Sequence, residues 1–261
     1  MKIAVDTRLL LKDQMDGLGQ FTFESFKQVV LNNPTVSFIF IFDRKPHPSF
    51  IFAKNITAKI IGPQAKHPFL YRIWYQLSLK KLLKKLKADI FVGTNGMIPL
   101  NTSTKTLSII HDLNFMHHPQ HLPFTLRNYY CKNFLKFAKK ATRIATVSEF
   151  SKKDIVKSYT INPNKIDVVY NGPNENFKPV SEEEKLKVQQ KYTEGKPYFL
   201  FVGTLHPRKN LVNLFKAFDQ FKSMEKSDFK LVIVGKKMWW TKEIESAFLK
   251  LNHKNEITAI F

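Results

Sequence analysis

The sequence predicts an α/β chain built as two doubly wound domains facing one another, and three observations carry that prediction. Short β-rich runs alternate with helical periodicity over residues 2–169. The phrase FVGT stands twice, at 91–94 and at 201–204, each time closing an apolar run. Between the copies a polar stretch, NGPNENFKPVSEEEK, breaks the alternation. Doubly wound sheets bind ligands beyond the carboxyl ends of their strands, so the residues following those ends are the candidates for function.

KIAVD, residues 2–6, opens the first unit as a strand, and a helix over 20–31 follows a long loop. That loop holds Gly17 and Gly19, a GxG with no third glycine and a poor match to the dinucleotide fingerprint. Such glycines let backbone approach a ligand; a plain flexible turn explains them equally well. Strands over 36–42 and 56–61 come next, then a helical pattern over 70–87. Its segment HPFLYRIWYQLSLKKLLKKLK is aromatic at one end, through Phe69, Tyr71, Trp74 and Tyr75, and sets lysines among leucines at the other. One reading is a helix packed on the sheet; the other is a basic aromatic surface that meets an anionic membrane.

Strands over 89–92 and 106–110 lead to His111 and Asp112. A neutral imidazole at a strand end can exchange a hydrogen bond with a sugar or take a proton, and a histidine satisfied within the fold is the alternative. His117, His118 and His121 follow in a polar loop whose spacing matches no zinc pattern. A helix over 125–140 and a strand over 143–147 end at Ser148, whose hydroxyl is available to a ligand. Without a GxSxG elbow it is no hydrolytic nucleophile. Ser151 and Asp154 have capping-box spacing for a helix over 151–158, and a strand over 166–169 leads to an Asn171–Gly172 turn.

The first unit is placed at 1–175, a linker at 176–195 and the second unit at 196–261, with strand 198–202, helix 210–224, strand 230–234, helix 241–251 and a strand from Ile257. A sheet this small leaves an apolar edge unpaired, so the sequence is expected to be part of a longer protein. In FVGTLHPRKN, Asn210 is expected to cap a helix whose Leu211, Leu214, Phe215, Phe218 and Phe221 recur at helical spacing. The free amides of its first turn would face Thr204, where a phosphate could sit. Arg208 offers a planar fork for phosphate oxygens and Lys209 a mobile charge. Two cations at a helix amino end oppose its dipole, a placement better tolerated where an anion arrives; a solvent-facing turn is the alternative.

Forty-two Lys and Arg against 21 Asp and Glu give a formal charge of +21, which attracts anions at long range. Nucleic acid is the weaker partner class: the aromatics fall in strand and helix cores, and no RNP, KH or finger pattern is present. Cys131 stands alone, which excludes a disulfide framework and a cysteine-cluster metal site and makes a reducing compartment the expectation. The opening MKIAVDTRLL lacks the apolar core of a signal peptide, and no later run is long enough to span a membrane.

The phrases GLGQF, IIHDLNF, TVSEFSKKDI, VVYNGPNENFKP, FVGTLHPRKNL and LVIVGKK stand in one order, and in that order the chain resembles the retaining glycosyltransferases called group 1 or family 4, of GT-B architecture. The resemblance implies a nucleotide diphosphate-sugar donor and a saccharide or lipid-linked acceptor, transfer with retention, and no obligatory divalent ion or other cofactor. It implies polysaccharide or glycolipid synthesis on the cytoplasmic side of the cell membrane. It points to Gly17 and Gly19 near the donor phosphates, to His111 beside the transferred sugar, and to Arg208 and Lys209 on the diphosphate. Gln20 and Phe21 replace the Arg and Tyr of many relatives, which weakens the donor contacts expected from that loop. The family's E-x7-E segment is not found: Glu243 and Glu245 come too early, and Glu256 lacks glycine-rich neighbours. The chain is therefore expected to hold the acceptor domain and the first half of the donor domain, and to be inactive alone.

Overall fold

The computed structural model describes residues 1–174, 177–225, 227–235 and 240–261. The chain divides into two units, Met1–Asn174 and Glu175–Phe261.

In the first unit, seven strands form one parallel sheet in the order β3-β2-β1-β4-β5-β6-β7. They are β1 (Lys2–Asp6), β2 (Ser37–Phe42), β3 (Ile56–Ile60), β4 (Ile90–Gly93), β5 (Lys105–Ile109), β6 (Arg143–Thr146) and β7 (Ile166–Val168). The strands read as near-continuous apolar runs because both sides are covered. Ala4, Ile39 and Ile41 enter one core with Trp74, Tyr75, Phe91 and Phe137, while Val5, Phe38 and Phe40 enter the other with Phe26 and Val30.

The helices of this unit are α1 (Gly17–Leu31), α2 (Pro68–Ile73), α3 (Lys80–Leu86), α4 (Asn114–His117), α5 (Phe124–Lys140) and α6 (Glu149–Tyr159). The pattern expected as one helix over 70–87 is α2, a π-helical segment at Trp74–Leu79, and α3. That segment lets the adjacent Trp74 and Tyr75 both be fully buried, so the aromatic end is not the open surface one sequence reading allowed. Phe69 remains 66% exposed and Leu77 is exposed as well.

The second unit holds α7 (Glu182–Thr193), β8 (Tyr198–Val202), α8 (Leu211–Met224), β9 (Lys230–Val234), α9 (Lys242–Leu249) and β10 (Ile257–Ile260). Its strands form a parallel sheet in the order β10-β9-β8. Leu205, Leu211, Phe215, Phe218, Leu231, Ile233 and Ile244 make its core. Leu200 and Val202, on one face of the edge strand β8, are 56% and 68% exposed. The segment expected as linker is mostly α7: Ser181 accepts from the Glu184 amide and the Glu184 carboxylate reaches back to the Ser181 amide. Three glutamates in the first turn complement the helix dipole, a start signal the polar composition concealed. The last residues of LVIVGKK lie outside the described residues.

Candidate functional site

The loop after β5 carries His111, half-buried. Its Nε2 lies 3.0 Å from the Thr94 carbonyl oxygen. A carbonyl only accepts, so Nε2 holds the proton and Nδ1 presents a lone pair. Burial pushes the pKa of His111 down and outweighs the opposite pull of the Thr94 carbonyl, Asp112 and Asp16. The ring is thus kept neutral as a hydrogen-bond acceptor. Phe21 meets it in a T-shaped contact with centroids 4.7 Å apart, which brings the first turns of α1 beside it. Asp112 itself is exposed and accepts from the Asn114 amide.

Gly17 and Gly19 are helical, not loop. Asp16 caps α1 by accepting from the Gly19 amide at 2.9 Å, a start signal that moves the helix ahead of residue 20. A Cβ at Gly19 would stand 2.6 Å from the Leu9 carbonyl, whereas one at Gly17 meets nothing within 4 Å. Gly19 therefore serves close packing against the preceding loop, and Gly17 is the one with room beside it.

Ser148, after β6, is the N-cap of α6: its Oγ accepts from the Ser151 amide at 3.1 Å and donates to Ser151 Oγ. The cap is thus one turn earlier than the Ser151–Asp154 spacing suggests. Asp154 accepts from His117 Nε2 at 2.8 Å and from Ser158 instead. Among the described residues no group of three or more His, Cys, Asp or Glu could hold a metal ion.

The second unit places Arg208 and Lys209 on a 3-10 turn, Pro207–Lys209, just past the carboxyl end of β8, with both exposed. His206 caps that turn through Nδ1, 3.2 Å from the Arg208 amide. Asn210 does not cap α8 with its side chain: it sits in the left-handed region at φ 58°, whereas side-chain capping uses extended backbone. Its carbonyl instead accepts the amides of Asn213 and Leu214. Beside the turn, a Cβ at Gly235 would stand 1.8 Å from the Gly203 carbonyl, so the ends of β8 and β9 meet backbone to backbone.

Beneath the first unit's strand ends lies a group that sequence reasoning missed. Arg8 is 4% exposed, with Nε and Nη2 each 3.1 Å from an Asp6 carboxylate oxygen. Tyr75 Oη accepts from Arg8 and donates to Asp6, and the guanidinium lies 4.6 Å from the Trp74 ring centroid. Burial alone would lower the pKa of Arg8, but Asp6, joined by Tyr75, holds it raised. The Thr94 hydroxyl donates to the Asp6 carbonyl at 2.8 Å, so the residue that orients His111 is itself fixed to this strand end. The signal available was DTR directly after an apolar strand, two charges whose spacing permits a buried pair.

Two α/β units, each built on a parallel sheet with candidate residues following strand carboxyl ends, define the doubly wound class of fold. The sequence model of Glycosyltransferase Family 4 matches residues 35–177 and that of Glycosyl transferases group 1 matches 182–261, and the chain belongs to Glycosyltransferase Family 4. It is 24% identical over 251 residues to the O-antigen chain mannosyltransferase B of Escherichia coli, covering 92% of this chain and 65% of that protein. It is 25% identical over 206 residues to the O-antigen chain mannosyltransferase RfbU of Salmonella typhimurium, covering 78% and 53%. The chain thus spans less than two thirds of the length of these relatives. Among solved structures, a glycosyltransferase from Rickettsia africae aligns over 99% of this chain and 67% of its own, with a TM-score of 0.64 at 19% identity. Anabaena Alr3699/HepE, in complex with UDP and glucose, aligns over 99% and 68% with a TM-score of 0.68 at 14% identity. The expected GT-B type of fold, with Rossmann-like units, is the one shared with these structures.

Proposed function

We propose that the protein transfers a sugar, with retention, from a nucleotide diphosphate sugar to a hydroxyl of a saccharide or lipid-linked acceptor in the synthesis of a cell-surface polysaccharide. The observation that carries this reading is His111, held neutral with Nδ1 free of the Thr94 bond, beside the start of α1 in a chain of this family. Nδ1 accepts a hydrogen bond from a hydroxyl of the transferred sugar. Arg208 and Lys209, exposed at the end of β8, bind the diphosphate and stabilise the negative charge that develops on it as it leaves. Gly17 leaves room for a ligand beside the start of α1, and Ser148 at the start of α6 and Asn210 at the start of α8 make lesser contacts to the donor. No divalent ion or other cofactor enters this scheme.

The mannosyltransferase relatives make a mannosyl group the first donor to try, and the UDP seen with the Anabaena protein makes uridine the second nucleotide. The reaction is placed in the cytoplasm at the inner face of the cell membrane, where the exposed Lys80, Lys81, Lys84 and Lys85 of α3 support contact with anionic lipid. Among the described residues no helix is long and apolar enough to cross a membrane.

Calorimetric titration with GDP-mannose and UDP-glucose, paired with assay of nucleoside diphosphate release, tests the reading. One donor is expected to bind, and Arg208→Ala with Lys209→Ala to weaken it at least about tenfold. Binding with no release by a protein spanning the full length of these relatives would favour a nucleotide-sugar-binding module over an enzyme. Binding of neither donor, with salt-dependent retention on DNA, would overturn the reading in favour of a nucleic-acid partner.

A further inference from the structure

A groove on the first unit carries a charge arrangement that the fold does not use. It encloses about 620 Å³ between α2 and α5, the size of a site for a small ligand. Arg72 of α2 lines it, as do Lys132 and Lys136 of α5, and no carboxylate does. All three cations are exposed, and none has an ion pair or hydrogen bond to another described residue. Lys132 and Lys136 are spaced i, i+4 on one helix face, where like charges repel and an anion between them relieves the cost.

The remaining lining has a different chemistry. Asn101 and Asn128 add side-chain amides that bond to no described residue, and Asn133 keeps its carbonyl oxygen free while its nitrogen donates to the Tyr129 carbonyl. Amides of this kind exchange hydrogen bonds with hydroxyls in both directions. Gln76 is fixed, donating to the Ile98 carbonyl and accepting from the Leu100 amide, and so holds the groove's floor in place. Phe69 gives one wall a largely exposed ring, and Tyr129 gives the other a half-buried one. Cations without counterions, free amides and aromatic faces together fit a sugar that bears a phosphate.

We infer that this groove binds a phosphorylated saccharide, through its phosphate at Arg72, Lys132 and Lys136 and through its hydroxyls at Asn101, Asn128 and Asn133. Both a lipid-linked sugar diphosphate and a soluble sugar phosphate present that chemistry. Assigning the ligand to the acceptor rests on the glycosyl-transfer reading above; the binding does not.

The test is calorimetric titration of the full chain with glucose 1-phosphate, with glucose, and with a prenyl diphosphate-linked N-acetylglucosamine in phosphatidylcholine vesicles. No nucleotide sugar is present, so failure here leaves the transfer reading standing. The phosphorylated probes are expected to bind and glucose not to. K132E/K136E is expected to weaken binding at least about tenfold, while K153E/K157E on α6, with the same change in charge and the same i, i+4 spacing, leaves it within about twofold. N128A supplies a second variant with no charge change and is expected to weaken binding severalfold. Binding of both phosphorylated probes supports a site that reads the sugar phosphate from either source, and binding of the vesicle probe alone supports a lipid headgroup site. Failure of both probes to bind, equal loss in the two lysine variants, or glucose binding as tightly as its phosphate would overturn the proposal.

Discussion

His111 Nε2 donates to the carbonyl oxygen of Thr94 across 3.0 Å, and that bond decides which nitrogen of the ring is available for chemistry. Replacing His111 by alanine is expected to lower kcat/KM about tenfold to a hundredfold, the range for one lost hydrogen bond to a reacting substrate. Steady-state kinetics with the donor found to bind, in a protein spanning the full length of the relatives, would check it, and an unchanged value would remove His111 from the reaction.

The same burial makes His111 a source of pH-dependent stability. Its folded pKa lies below the ordinary 6.5, so as pH falls the unfolded chain takes up this proton first. Its contribution is complete above about 6.5, declines as pH falls toward the folded value, and is level below that. Urea midpoints of wild type and His111→Asn, compared across that range, should differ by an amount that changes in this window. A constant difference would place the ring in a more solvated setting.

Asp6 and Arg8 form a buried pair, and removing one partner strands the other. Asp6→Ala is expected to cost about 3–5 kcal/mol in urea denaturation. The double variant Asp6→Ala, Arg8→Met should lose clearly less than the two single losses combined, because it leaves no uncompensated charge. Additive losses would mean that the two do not act as a pair.

The two glycines of α1 should part company under substitution. Gly19→Ala forces a Cβ against the Leu9 carbonyl and is expected to destabilise by about 1–3 kcal/mol. Gly17→Ala meets open space and should be neutral or stabilising by up to about 1 kcal/mol through helix propensity, unless a bound donor fills that space. Thermal melts with and without donor would separate the two effects.

Ser148→Ala removes a helix cap and is expected to cost about 1 kcal/mol while lowering donor affinity by no more than about twofold, as for a lesser contact. A loss of affinity without a loss of stability, read by titration and melting, would return Ser148 to the ligand.

The order of the strands and most helices could be read from period and punctuation, because a parallel sheet covered on both sides writes its strands as unbroken apolar runs. The start of α1 could not, since glycines at 17 and 19 read as loop until Asp16 is seen to cap them. Likewise the acidic run after Ser181 reads as linker by composition and as helix only through its capping box. At the site, sequence pointed to His111 but not to Thr94 or Arg8. Their parts depend on contacts across 17 and 67 positions of chain, which no local pattern records.

The π-helical segment Trp74–Leu79 fixes more than the packing of two aromatic residues. One residue of an α-helix turns the chain by about 100°, so a segment wound with a wider turn sets the azimuth of everything before it. Deleting a single residue there would let α2 and α3 run on as one regular helix. The flanking α2 would keep its facing, because the wider turn absorbs about one extra residue, whereas the residues inside the segment would shift and draw Tyr75 off Asp6. The buried Arg8 cage is therefore the part that depends on the length of this segment: a one-residue deletion there strikes the cage through Tyr75 and leaves Phe69 and Arg72 on the side of the groove.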